Sequence, residues 1–131
     1  MNTKVTSLAL SKRLKELGVK QESMFYWNIL NGKPELEGGR AIYETDGKRF
    51  GKEVISYSAF LAEELGELLP DMIDKDNDLY WFIIERYNKK FKKWVLSYKG
   101  LWGKRLKVVV SESLSEGMAL MVIYLKEQNL I

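Results

Sequence analysis

Apolar residues recur along this chain at two different periods, and the switches between them mark out its elements. Leu8, Leu10, Leu14 and Leu17 fall near helical spacing, while Lys12, Arg13, Lys15 and Glu16 take the other face. That pattern predicts a helix over 7–17, stopped by Gly18. Residues 24–30 are dense in strand formers and run into Asn31-Gly32, a turn signal. Pro34 and the pair Gly38-Gly39 predict a loop, with a short strand at 40–44 and a turn at Asp46-Gly47 leading to another strand near 50–55. Ser58 is a candidate N-cap for a second helix carrying Phe60, Leu61, Leu65, Leu68 and Leu69, which Pro70 ends. An acidic loop spans 71–78. Residues 79–87 and 91–98 read as a hairpin around Asn88-Lys89. In its second strand Trp94, Leu96 and Tyr98 alternate with Lys93, Val95 and Ser97. Leu106, Val108 and Val110 alternate likewise in a third strand. Ser113 with Glu116 three residues on forms a capping box. It opens a final helix along Leu114, Met118, Met121, Val122 and Leu125, which Asn129 closes.

These elements predict an α+β protein, a single domain over 1–131 in which an antiparallel sheet is packed by about three helices. Leu65, Leu68, Trp94, Leu96, Val108, Met121 and Leu125 are the expected shared core. Residues 58–128 alone read α-β-β-β-α, an order found in double-stranded-RNA-binding domains and in several small phage and toxin–antitoxin proteins. The RNA-binding family grips phosphate with a lysine-rich start to its last helix. Here Glu112 and Glu116 stand at that start, where carboxylates repel phosphate.

Composition narrows the chemistry. The chain has no cysteine and no histidine, which removes disulfides, thiolate and imidazole catalysis, Ser-His-Asp triads and structural zinc sites. Any catalysis would fall to carboxylates, Lys, Tyr, Ser or an oxygen-bound hard metal. Glu63, Glu64 and Glu67 offer carboxylates, but in a triplet ordinary for a helix surface. The chain is therefore expected not to be an enzyme and to need no cofactor. Asp74, Asp76 and Asp78 alternate, with Glu85 at the twelfth position, as in a calcium loop. The sixth position is Leu79, however, where such a loop needs glycine. Residues 1–15 lack the apolar run of a signal peptide and no stretch is long enough to span a bilayer, so the cytoplasm is the expected location.

Charge is distributed unevenly. Residues 79–110 hold nine basic side chains against the single acid Glu85, net +8. The remaining residues hold 12 basic against 17 acidic, net −5. The basic residues are Arg86, Lys89, Lys90, Lys92, Lys93, Lys99, Lys104, Arg105 and Lys107, and eight aromatic residues are interleaved with them. Lysines among aromatics suit phosphates and unpaired bases. They equally suit a sheet, where aromatics pack and edge lysines prevent aggregation. Trp102, in the loop Gly100-Leu-Trp-Gly103, is a candidate contact residue. The expectation is a non-catalytic binding protein with a protein partner; the alternative is a nucleic-acid-binding module using the basic face over 86–107, Trp102 included.

Three stretches carry a resemblance: LSKRLKELGVKQES from Leu10 to Ser23 together with Phe25, Tyr26 and Trp27; AEELGELLP from Ala62 to Pro70; and the ending at 116–131. Together they resemble a group of small bacteriophage and prophage proteins with no assigned activity. The resemblance implies a phage or mobile-element origin and a host-cell cytoplasmic setting. It supplies no functional residues.

Overall fold

The computed structural model describes residues 4–38, 48–49, 52–87 and 92–131. Two four-stranded antiparallel sheets and three helices make up its α+β architecture. Helix α1 (Leu8–Glu16) starts where expected, with the Ser7 hydroxyl accepting from the Leu10 N–H at 3.3 Å. Strand β1 (Phe25–Leu30) turns through Asn31 and Gly32, both at positive φ, into β2 (Lys33–Gly38). The expected loop at Pro34 is thus a strand. Pro34 is tolerated because β2 is the edge of its sheet, where a missing N–H breaks no outer ladder. The other side of β1 pairs with β4 (Lys52–Ala59), which also carries the two-residue β3 (Lys48–Arg49), giving the order β2-β1-β4-β3. The strand expected at 40–44 and the turn at Asp46-Gly47 lie outside the described residues.

Strand β4 runs four residues past its predicted end and takes in Ser58, which therefore caps no helix. Its N–H donates to Gln21 Oε1 at 2.8 Å as part of the sheet region. The second helix, α2 (Ala62–Gly66), is short. Its N-cap is Leu61, whose N–H is accepted by Glu64 Oε1 at 2.8 Å, while Glu64 Oε2 accepts the Met24 N–H at 3.0 Å. One carboxylate thereby clamps the start of α2 to the start of β1.

The acidic loop is a further strand pair. Strand β5 (Met72–Lys75) turns at Asp76-Asn77 into β6 (Asp78–Tyr87). Both turn residues have positive φ, which Asp and Asn tolerate best among non-glycine residues. The segment after α2 therefore has four strands before its last helix, not three. The sheet continues through β7 (Lys93–Lys99) and β8 (Arg105–Ser111) in sequential order β5-β6-β7-β8. The predicted turn at Asn88-Lys89 lies outside the described residues.

Helix α3 (Leu114–Glu127) lies across this second sheet, and α1 and α2 pack on α3 in turn. Ser113 caps it by accepting the Glu116 N–H at 3.4 Å. The return bond of the predicted capping box is absent from that residue pair: Glu116 Oε1 instead accepts the Ser7 N–H at 2.7 Å, joining α3 to the start of α1. The main core gathers Leu14, Phe60, Leu65, Leu96, Tyr98, Val109, Met118, Met121, Val122 and Leu125 between the helices and one face of the second sheet, with Trp94 packed at its margin. Leu65, Leu96, Met121 and Leu125 are fully buried as expected. Leu68 and Val108 are not, at 38% and 37% exposed. Leu68 lies beyond the end of the short α2, and Val108 faces the other side of the sheet. Tyr98 donates its hydroxyl to the Pro70 carbonyl at 2.7 Å. Burial, reinforced by the nearby Asp71 charge, raises that hydroxyl well above the usual tyrosine range and keeps it a donor. No helix among the described residues is long and apolar enough to cross a membrane.

A candidate binding face on the outer side of the second sheet

Strand parity divides the second sheet into two unlike faces. Phe82, Tyr98 and Lys107 are cross-strand partners, as are Ile84, Leu96 and Val109; these point toward α3. The residues between them point outward: Trp81 beside Lys99, Ile83 beside Ser97 and Val108, Glu85 beside Val95 and Val110. Val95 is buried yet stands outside the main core cluster. Val108 and Val110 thus face the solvent side, whereas Leu106, the extra residue at the bulge between the Tyr98 and Lys99 pairings, packs against the core. The buried core residue of β8 is Val109, one residue out of the expected phase. Shifting parity by one residue moves a whole side-chain series to the other face.

This outer face keeps exposed Met72, Leu79, Trp81, Val108 and Val110. Ser97 lies near its middle on the central strand β7, fully buried, and its hydroxyl has no hydrogen-bond partner among the described residues. At one end the chain passes from β7 to β8 through a single 3-10 turn at Leu101–Gly103. A Cβ at Gly100 would meet the Leu79 carbonyl at 3.0 Å and the Tyr80 ring at 3.3 Å, so the turn is pressed onto the start of β6. Lys104 fastens it there, donating to Asp78 Oδ2 at 2.6 Å, a bond that raises the Lys104 ammonium above its usual range. Leu101 stands 70% exposed and Trp102 is wholly exposed with φ of 62°.

Among the described residues the basic side chains do not form one surface. Lys99 and Arg105 are partners on the outer face beside Trp81, next to the Trp102 turn. Lys93 lies on the same face at the other end of β7, six residues or about 20 Å away. Lys92 adjoins it, exposed. Arg86 pairs with Trp94 on the opposite face and stacks over its ring at 4.9 Å. Lys107 also turns to the helix side, 5.0 Å above the Tyr124 ring. Lys104 is engaged with Asp78. Lys89 and Lys90 lie outside the described residues. Among the described residues the strands therefore do not build a continuous basic surface over 86–107. They build an apolar centre with cations at its two ends. The alternation of β6 signals this face, Leu79 and Trp81 included, but Met72 falls in the 71–78 segment that the sequence presents as an acidic loop.

The acidic positions are likewise dispersed. Asp78 is taken by Lys104, and Asp74 pairs with Leu79 across the hairpin, from which Glu85 is six strand residues, about 20 Å, away. No group of three potential metal ligands occurs among the described residues. Comparison with protein-family models, with curated proteins and with solved structures finds no match to the chain.

Proposed function

We propose that the chain is a small non-catalytic accessory protein of the phage type, which binds a partner protein through the outer face of its second sheet and the Trp102 turn. The observation that carries this reading is Trp102. A non-glycine residue held in the left-handed region costs about 1–2 kcal/mol, and a fully exposed indole recovers none of it by packing. Such local strain is characteristic of contact sites. Around Trp102 the surface has the usual anatomy of a protein interface, an apolar and aromatic centre within a charged rim. The rim here carries Lys99 and Arg105 at one end and Lys93 with Glu85 at the other. The partner it fits has an apolar patch with carboxylates on the side that meets Lys99 and Arg105. The aliphatic centre of Val95, Val108 and Val110 offers bases no stacking surface, which favours protein over nucleic acid. Trp81 with Lys99 and Arg105 is the part of the surface that nucleic acid could use.

The test is affinity capture from host lysate with wild type and with Trp102→Gly and Trp81→Ser chains, followed by titration of the recovered protein in purified form. The expected result is a partner retained by wild type, weakened at least tenfold by each variant, and changed little by moderate salt. Unchanged capture by both variants overturns the reading. So does oligonucleotide binding that falls steeply with salt and is lost in Lys99→Glu/Arg105→Glu, which gives the surface to nucleic acid instead.

A further inference from the structure

Strand β8 is the last of its sheet and seven residues long, and its outward N–H and C=O groups meet no further strand among the described residues. The opposite edge, β5, has only four residues. Long open edges are ordinarily guarded by a lysine, a proline or a bulge in the strand. The lysine within β8, Lys107, is folded over the Tyr124 ring on the helix side, and its proline-free centre is Val108-Val109-Val110. The bulge lies at the far end, beside Lys99.

We propose that β8 pairs antiparallel with β8 of a second copy of this chain, joining two second sheets into one about a two-fold axis at Val108. The strand's own sequence selects that register. With Val108 opposite its counterpart, Lys107 meets Val109, Leu106 meets Val110 and Arg105 meets Ser111, beside the exposed Glu112. No cation faces a cation, and one faces the neighbourhood of a carboxylate. Centring on Leu106 sets Arg105 against Lys107, centring on Lys107 sets two ammonium groups together, and centring on Val109 places Leu106 against Glu112. Like charges directly opposite destabilise a pair. The selected register also groups Val108 and Val110 of both copies on the outer side.

A strand edge alone does not supply the roughly 800 Å² per partner of a stable interface. The helix side supplies more. Between β8 and α3 runs a groove lined by Val109, Leu120, Ile123 and Tyr124, and Leu120 is exposed there. Edge pairing brings the two grooves alongside each other. The inference shares Val108 and Val110 with the proposed partner face but not the Trp102 turn, which lies at the end of β8, away from the axis, so Trp102 variants separate the two readings.

Sedimentation of the full chain over low to high micromolar concentration tests it. Wild type should associate to a dimer. Val108→Lys and Val108→Glu should each raise the dimer Kd on the order of a hundredfold, because residue 108 meets itself. An equimolar mixture of the two should recover a heterodimer. Val108 is part-exposed, and circular dichroism with thermal melting confirms that each variant folds. Trp102→Gly should leave the dimer intact while removing partner capture. A wild type monomeric throughout, a Val108→Lys chain that dimerises as wild type does, or a mixture that stays monomeric overturns the proposal.

Discussion

The two sheets are alike in strand number and opposite in what holds them. The second sheet is fixed by apolar burial: one face supplies Tyr80, Leu96, Tyr98 and Val109 to the core under α3. The first sheet is fixed by directed hydrogen bonds. At its centre Asn28 Nδ2 donates to Glu37 Oε1 at 3.0 Å, and Ser56 donates to Asn28 Oδ1 at 2.7 Å. A latch of Thr6 binds the sheet to the chain start. Its N–H donates to the Phe60 carbonyl at 2.9 Å, its hydroxyl accepts the Phe60 N–H at 3.0 Å and bonds Ser11 Oγ at 2.7 Å, and its carbonyl accepts from Trp27 Nε1 at 2.9 Å. The two sheets should therefore answer to different substitutions: the second to lost volume, the first to lost acceptors.

The largest effect is expected at the contact of β7 with α3. Gly117 is helical and buried, and a Cβ there would sit 2.8 Å from Leu96 Cδ1. Leu96→Ala should cost about 2–5 kcal/mol in denaturant unfolding. Gly117→Ala should destabilise wild type by about 1–3 kcal/mol through overpacking. In the Leu96→Ala background the same change should be neutral or stabilising, since the methyl enters the vacated space and helix propensity improves. Simple additivity of the two changes would show that Leu96 is not what excludes a side chain at 117.

A smaller loss is expected at the latch. Thr6→Val keeps the shape but leaves the buried Phe60 N–H without its acceptor and Ser11 without its closest partner, so it should cost about 1–3 kcal/mol. Amide exchange should quicken at β4 and β1 more than at β7. A loss exceeding that of Leu96→Ala, or exchange quickened equally in both sheets, would break the contrast between them.

What the sequence made legible follows the same division. Periodicity placed α1, β1, β6, β7 and α3, because each packs a repeating apolar series on one side. It misplaced the elements whose residues answer to neighbours outside their own segment. Pro34 reads as a breaker until β2 is known to be an edge. Ser58 reads as a cap until β4 is known to continue past it, and the run of carboxylates at 71–78 hides a hairpin closed by Asp76 and Asn77. Trp102, a candidate contact residue from its loop position, is wholly exposed. The cations were grouped too broadly, since linear clustering does not record that Lys99 and Arg105 face one way and Arg86 and Lys107 the other.

The smallest stability change is expected where the contrast is sharpest between stability and contact, at Trp102. The residue is left-handed and touches solvent throughout, so its side chain contributes to neither kind of scaffold. Glycine adopts this conformation without the Cβ penalty, whereas alanine keeps it. Trp102→Gly should therefore unfold at the same or slightly higher denaturant than wild type, and should be more stable than Trp102→Ala by about 1 kcal/mol. Both should bind the partner at least tenfold more weakly. A glycine variant clearly less stable than the alanine variant would mean that the turn does not hold residue 102 left-handed in solution. The conformational cost would then vanish, and with it the reason for assigning this exposed indole to a contact.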